Sequence, residues 1–326
     1  MDLRKIQVTR GGTFFVTLPK EWALKCGLSR GSLVAASETI DGRLILDPKY
    51  NVEREPAVAI IKPTSHIDRD IIGKYLLGYD IIKIETKDRI SLKYREQIKR
   101  ASSKLIGLEI IEENYSRIVL QCLLESSALP PEKILRREYS ITSSMHKDVI
   151  KALIENDVQM ARSVIARDNE VNRLYFLLVR ILRTIIQNPG LSDRLEVSPI
   201  ECLDYRLVAS LVESVGDQTV QIAEHIVCAG KIHLTEDLVR NLLTFHRSVH
   251  SSYEDAVTAF ITRSTSLANS IRERQQSIDT LYRKVESITN TESVNVARLI
   301  ISVLSLIRRI YDFSIDISDL TMPVSL

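Results

Sequence analysis

The spacing of apolar and polar positions changes twice along the chain. In the first fifty residues, "KIQVT" and "TFFVTL" alternate, with Phe14, Val16 and Leu18 on one side, which predicts short strands. Arg10-Gly11-Gly12 between them reads as a hairpin turn. Pro19 opens a short helix, "PKEWALKC", and Gly27 closes it. "SLVAASETI" and "RLILDP" then pair across Asp41-Gly42. Phe15 and Trp22 fall where so small a module would bury them. Fifty residues with a few short strands bury little surface, so the module is expected to need a partner, most simply a second copy.

Residues 51–130 mix the two periods. "AVAIIK", "DIIKIET", "LEIIEEN" and "RIVLQCLL" read as strands. "DRDIIGKYLLG", with Asp68 as its cap, and "SLKYREQIKRASSKLIG", ended by Gly107, read as helices. A turn is expected at Asn114–Ser116. The segment is expected to be a small α/β domain, and no glycine-rich phosphate loop precedes its helices. Pro130-Pro131 ends it.

From residue 131 onward apolar residues recur at three- and four-residue intervals, and breaks fall at "QNPGLSD", "AGKIH" and "TNTES". This predicts two helical bundles, 131–230 and 231–326, in a mainly α chain.

The bundles are written alike. Ala152–Tyr175 aligns with Ala259–Tyr282, keeping Ile154/Ile261, Ala161/Ala268, Arg167/Arg274 and Leu174/Leu281. Residues 211–224 align with 306–319, keeping Asp217/Asp312 and Ile222/Ile317. Two blocks in the same order, each read as lying on its own helix, imply one three-helix bundle made twice. The spacing differs by a stretch, "QNPGLSDRLEVSP", that reads as loop.

The polar positions of these blocks suggest a site. Asp168 and Asn172 share a helix face, as do Glu213, Asp217 and Gln221. Oxygen ligands converging from two helices suit iron, manganese or magnesium. The second copy has Gln275, Asp279, Arg308, Asp312 and Asp316, with fewer anions to offer. Glu213 and Asp217 could equally pair with Arg167 or Arg206, and Arg308 could hold Asp312 or Asp316 in an ion pair. His246 and His250 share a face and could bind zinc, but they lie outside the repeated motif without an HExxH and read as a solvated pair.

Composition narrows this picture. The net charge is +2, so nucleic-acid contact would need a local patch. The first thirty-two residues hold Arg4, Lys5, Arg10, Lys20, Lys25 and Arg30 against Asp2 and Glu21. The cysteines, Cys26, Cys122, Cys202 and Cys228, are scattered, which fits reduced thiols in a cytoplasm. No apolar run is long enough for membrane insertion, and "MDLRKIQVT" lacks the apolar core of a signal peptide. No nucleophile elbow, P-loop or HExxH appears, so an enzyme is not expected.

"VESVGDQTVQIAE", "RRIYDFSIDISD" and "ARDNEVNRL" resemble the helices of the PhoU family. That resemblance implies tandem three-helix bundles over roughly residues 135–320 and a role in phosphate homeostasis. Family members can carry metal at E/D-x-x-x-D motifs, a pattern kept here by Glu213/Asp217 and Asp312/Asp316 and broken at Asn172 and Gln275. "QVTRGGTFFVTLPKEWALKCGLSRGSLV" with "DGRLILDP" resembles the AbrB/SpoVT/MazE swapped-hairpin module. That resemblance implies a dimer of interlocked hairpins that places Arg4, Lys5, Arg10 and Lys20 on DNA. The combination resembles archaeal regulators of phosphate uptake.

The expected reading is therefore a cytoplasmic, homodimeric, phosphate-responsive transcriptional regulator with a DNA-binding module at 1–50. The alternative is an adaptor whose bundles dock on a phosphate transporter ATPase or a sensor kinase. A metalloenzyme on a carboxylate bundle is the third reading. Asn172, Gln275 and Arg308 count against it.

Overall fold

The computed structural model describes residues 3–38, 42–48, 55–124 and 129–321. The chain divides into two compact units, Met1–Glu55 and Pro56–Leu326.

In the first unit, β1 (Gln7–Val8) pairs antiparallel with β2 (Phe14–Phe15). Gly12 takes φ 86° in the turn between them, a conformation that favours glycine. Helix α1 (Lys20–Lys25) has Pro19 at its N-cap, and Gly27 follows with φ 69°. Strand β3 (Ala35–Glu38) pairs with β4 (Leu44–Asp47), while Asp41 of the expected turn lies outside the described residues. No described residue of this unit is buried. Phe15, expected in a core, is 44% exposed, and Trp22 is only half-buried. The reason is geometric: two separate two-stranded ribbons enclose no interior.

The second unit opens with β5 (Val58–Ile61), α2 (Ile67–Leu76), β6 (Ile81–Glu85), α3 (Leu92–Ser103), β7 (Leu108–Glu113) and β8 (Arg117–Cys122). The strands form one sheet in the order β5-β6-β8-β7, with β5 and β6 parallel and the other pairs antiparallel. Ile67, Ile71 and Tyr75 of α2 and Ile98 of α3 form one buried core with Ile82, Ile84, Ile118 and Leu120 of the sheet. His66 holds the N-cap of α2, so Asp68, expected there, stands inside the first turn, where a carboxylate suits the helix dipole. Helix α3 ends at Ser103, short of Gly107, whose φ of 75° leads into β7. Asn114 Oδ1 accepts from the backbone N–H of Ser116 and Arg117 and closes the expected turn.

Helices fill the rest: α4 (Pro131–Glu155), α5 (Val158–Gln187), α6 (Pro189–Leu195), α7 (Pro199–Ala229), α8 (Glu236–Thr262), α9 (Thr265–Glu273), α10 (Gln275–Thr289) and α11 (Val294–Asp319). Helices α4, α5 and α7 pack together; α8 to α11 repeat the arrangement, with α9 and α10 in place of α5. Pro189–Leu195, expected as loop, is helical because Asn188 caps it, accepting from Leu191 N–H at 3.3 Å, with proline in its first turn.

The first repeated block corrects an expectation. It is not one helix but a corner between two. Asn156 (φ 55°, ψ 35°) and Arg263 (φ 54°, ψ 34°) turn the chain at equivalent positions. The next residues, Asp157 and Ser264, donate their backbone N–H to the carbonyls of Ala152 and Ala259, both at 2.9 Å. The two bundles are also not separate, since α4 packs on α8 and α7 on α11, and one core runs through both. Arg180 of α5 ties this core to the α/β domain. Buried, it donates to the carbonyls of Tyr75 (2.7 Å) and Tyr79 (2.9 Å) and lies over the Tyr75 ring.

Candidate acidic site of the first bundle

Asp168 and Asn172 lie one turn apart on α5, and Glu213 and Asp217 one turn apart on α7. The packing of α5 on α7 brings these faces together. Gly216 sits at the crossing: a Cβ there would stand 3.4 Å from Thr142 Cγ2, 3.5 Å from Val171 Cγ1 and 3.8 Å from Asp168 Oδ1. A larger residue would hold the helices apart. Asn172 donates to Asp168 Oδ2 at 2.7 Å, whereas Asp168 Oδ1 is buried without a partner.

A fourth carboxyl joins them from α4. Glu138 is fully buried, and neither of its oxygens has a hydrogen-bond partner. It falls in an otherwise core-facing run of α4 that includes Leu135, Thr142, Met145 and Val149. Sequence reading missed it, although an acid in an apolar stripe was the available signal.

The four groups influence one another. Burial, and then the neighbouring Glu213, push the Glu138 carboxyl well above the ordinary range. Burial, Asp217 and Asp168 push Glu213 up to about 7. Burial and Asp217 raise Asp168, and burial raises Asp217. Arg206 counters weakly. It acts on Glu138 and Glu213 from a position over the Tyr175 ring, 4.7 Å from its centroid. Arg167, the other candidate partner, is engaged by Asp148 at 2.7 Å. Burial and mutual repulsion favour the protonated forms of these carboxyls, most strongly at Glu138.

Carboxylate oxygens with no donor suit a hard cation in kind. They do not close around one point: among the described residues no three histidine, cysteine or carboxylate side chains are grouped so that they could hold a metal ion.

In the second bundle, Arg308 stands where the first has Glu213. Its Nη2 is 3.1 Å from Asp279, and its Nη1 donates to Asp312. These two carboxylates are thus neutralised from within the chain. Asp316 lies one turn beyond Asp312 on the same helix, and Gln275 begins α10. His246 and His250, expected in solvent, are buried against α4. In the first unit Arg4, Lys5, Arg10 and Lys20 are exposed; Lys5 and Arg10 flank β1, and Lys20 begins α1.

The PhoU domain profile matches residues 135–226 and 242–321, the two bundles in order. A phosphate-specific transport system accessory protein PhoU homolog of Rhizobium meliloti is 26% identical over 144 residues, covering 44% of this chain and 59% of that protein. One of Clostridium acetobutylicum is 25% identical over 158 residues, covering 46% and 68%. The crystal structure of PhoU from Pseudomonas aeruginosa superposes with a TM-score of 0.53 at 18% identity, over 59% of this chain and 93% of that one. The phosphate transport system regulatory protein PhoU from Streptococcus pneumoniae gives 0.50 at 20%, over 59% and 91%. Among the described residues no helix is long and apolar enough to cross a membrane.

Proposed function

The chain belongs to the PhoU family, and from that premise we propose that it is a regulatory accessory of a phosphate transport system, acting in the cytoplasm by docking and not by catalysis. The observation that carries this reading is the match of the PhoU domain to both bundles, in order and nearly end to end. The relatives named above are accessory proteins of phosphate-specific transport. The bundles would dock on the transporter's ATPase or on a sensor kinase. The buried acidic site of the first bundle would be the part that changes charge. The test is capture of the phosphate-transport ATPase by the purified full chain, at high and low phosphate. Phosphate-dependent capture is expected. An ATPase that never binds would overturn the reading.

A second reading adds DNA. It is favoured by the first unit, in which no described residue is buried and Leu3, Ile6, Val8, Phe14 and Leu33 are exposed beside Lys5, Arg10 and Lys20. An apolar surface of that extent on fifty residues suits a second copy, and doubled basic side chains gain from counterion release. Electrophoretic shift of the chain's own upstream DNA tests it. Binding that survives alanine at Arg4, Lys5, Arg10 and Lys20 together would remove these residues from the reading.

A further inference from the structure

Helices α4 and α8 meet along a pseudo-symmetric seam. The register that sets Ala152 on Ala259 also sets Tyr139 on His246 and His146 on Tyr253. One end of the seam is therefore the Tyr139–Tyr253 contact, with ring centroids 5.4 Å apart. The other is the His246–His146 contact, at 4.6 Å. Tyr253 exchanges a hydrogen bond of 2.8 Å with the Thr142 hydroxyl.

Beside the histidine end lies a groove of about 480 Å³. That volume lies within the range of small-molecule sites. Ile150, Ile154 and Leu243 give it an apolar lining. Lys147 and His250 share Glu254, at 3.5 and 3.4 Å. Lys151 and Arg247 line the groove together with Glu155, are exposed and, among the described residues, form no ion pair. Their register counterparts at the tyrosine end are Thr258 and Ser140, so these two cations are not repeated there. Behind His246 and His250, His146 is fully buried with both ring nitrogens unpartnered. The three rings do not gather as metal ligands.

We propose that this groove binds a phosphomonoester carried on an apolar or aromatic body. Lys147, Lys151 and Arg247 outnumber Glu155 and Glu254 along the groove, and Lys151 and Arg247 are held in no ion pair, so the groove attracts the charge of about −1.5 to −2 that a phosphomonoester carries at pH 7. The apolar lining takes the body. His246 spends its Nε2–H on the His146 carbonyl at 3.2 Å, so its Nδ1 is a hydrogen-bond acceptor and suits a hydroxyl or amine of the ligand. A ligand here touches both bundles at once and biases how α4 sits on α8. As the input to phosphate-transport regulation the site rests on the reading above; as a binding site it stands without it.

Calorimetry of the full chain with adenosine monophosphate, adenosine and inorganic phosphate tests the proposal. The nucleotide is expected to bind, and each fragment to bind at least about tenfold more weakly. The double variant Lys151→Ala/Arg247→Ala, changed only at exposed positions, is expected to lose about tenfold or more with unchanged circular dichroism. Protection of Lys151 from acetylation by the nucleotide reads the same site without any variant. Absence of nucleotide binding, or equal affinity in the double variant, overturns the proposal. Equal binding of adenosine overturns the anionic end, and equal binding of inorganic phosphate overturns the apolar one. Capture of the transporter ATPase without nucleotide binding retires this inference alone; nucleotide binding without capture retires the adaptor reading alone.

Discussion

The two bundles repeat one helical arrangement and solve the same electrostatic problem in opposite ways. At the helix crossing the first has Glu213, Gly216 and Asp217; the second has Arg308, Tyr311 and Asp312. Glu138 in the first bundle's core corresponds to Phe245 in the second's, by the register that sets Ala152 on Ala259. The second copy neutralises its carboxylates with an arginine and fills the crossing with Tyr311, whose hydroxyl donates to the Ile271 carbonyl at 2.7 Å. The first keeps its carboxyls close, short of donors, and relies on protons. Burying carboxyls without partners is destabilising. Such a feature reads as a working part, while the second bundle reads as its structural companion.

The largest effect is expected from forcing the second solution on the first. Gly216→Tyr places a ring where a Cβ already meets Thr142, Val171 and Asp168. It is expected to lower stability by about 3 kcal/mol, read from urea unfolding. The converse change, Arg308→Glu, sets like charges beside Asp279 and Asp312 and is expected to lower stability by about 2 kcal/mol. The loss should be greater at pH 8 than at pH 5. A uniform loss would show that Arg308 acts by packing.

Glu138→Leu should act with the opposite sign. The folded-state carboxyl of Glu138 lies well above its unfolded value of 4.5. The stability it allows is therefore present below pH 4.5 and lost as pH rises. The leucine variant is expected to equal or exceed wild type at neutral pH by about 1–3 kcal/mol, an advantage that shrinks towards pH 4. Glu213→Gln is expected to change the pH profile. Raised to about 7, Glu213 penalises the folded state increasingly between pH 4.5 and 7. The glutamine variant should flatten that part of the stability profile.

Much of this was legible in the chain, for identifiable reasons. Helical spacing and the two ordered blocks reveal the duplicated bundle. The four-residue spacings put Asp168 with Asn172 and Glu213 with Asp217, and helix packing then brings the pairs together. Glu138 was missed because a glutamate is ordinarily a surface residue, and its burial depends on α7 as well as its own helix. The corner at Asn156 and Arg263 is hidden in the second copy because arginine is no turn former; Asn156, which tolerates the left-handed region, is the signal of it in the first. Alternation located the amino-terminal strands, but Phe15 stays exposed and Trp22 half-buried because the two ribbons enclose no interior.

The claim that the first bundle holds protons where the second holds an arginine is tested most directly by carbon-13 NMR titration of the glutamate and aspartate carboxyls. Glu138 is predicted to titrate well above the ordinary carboxylate range and Glu213 near 7. If both titrate in the ordinary carboxylate range, between about 3.5 and 4.5, the two bundles do not differ in this way and the account fails.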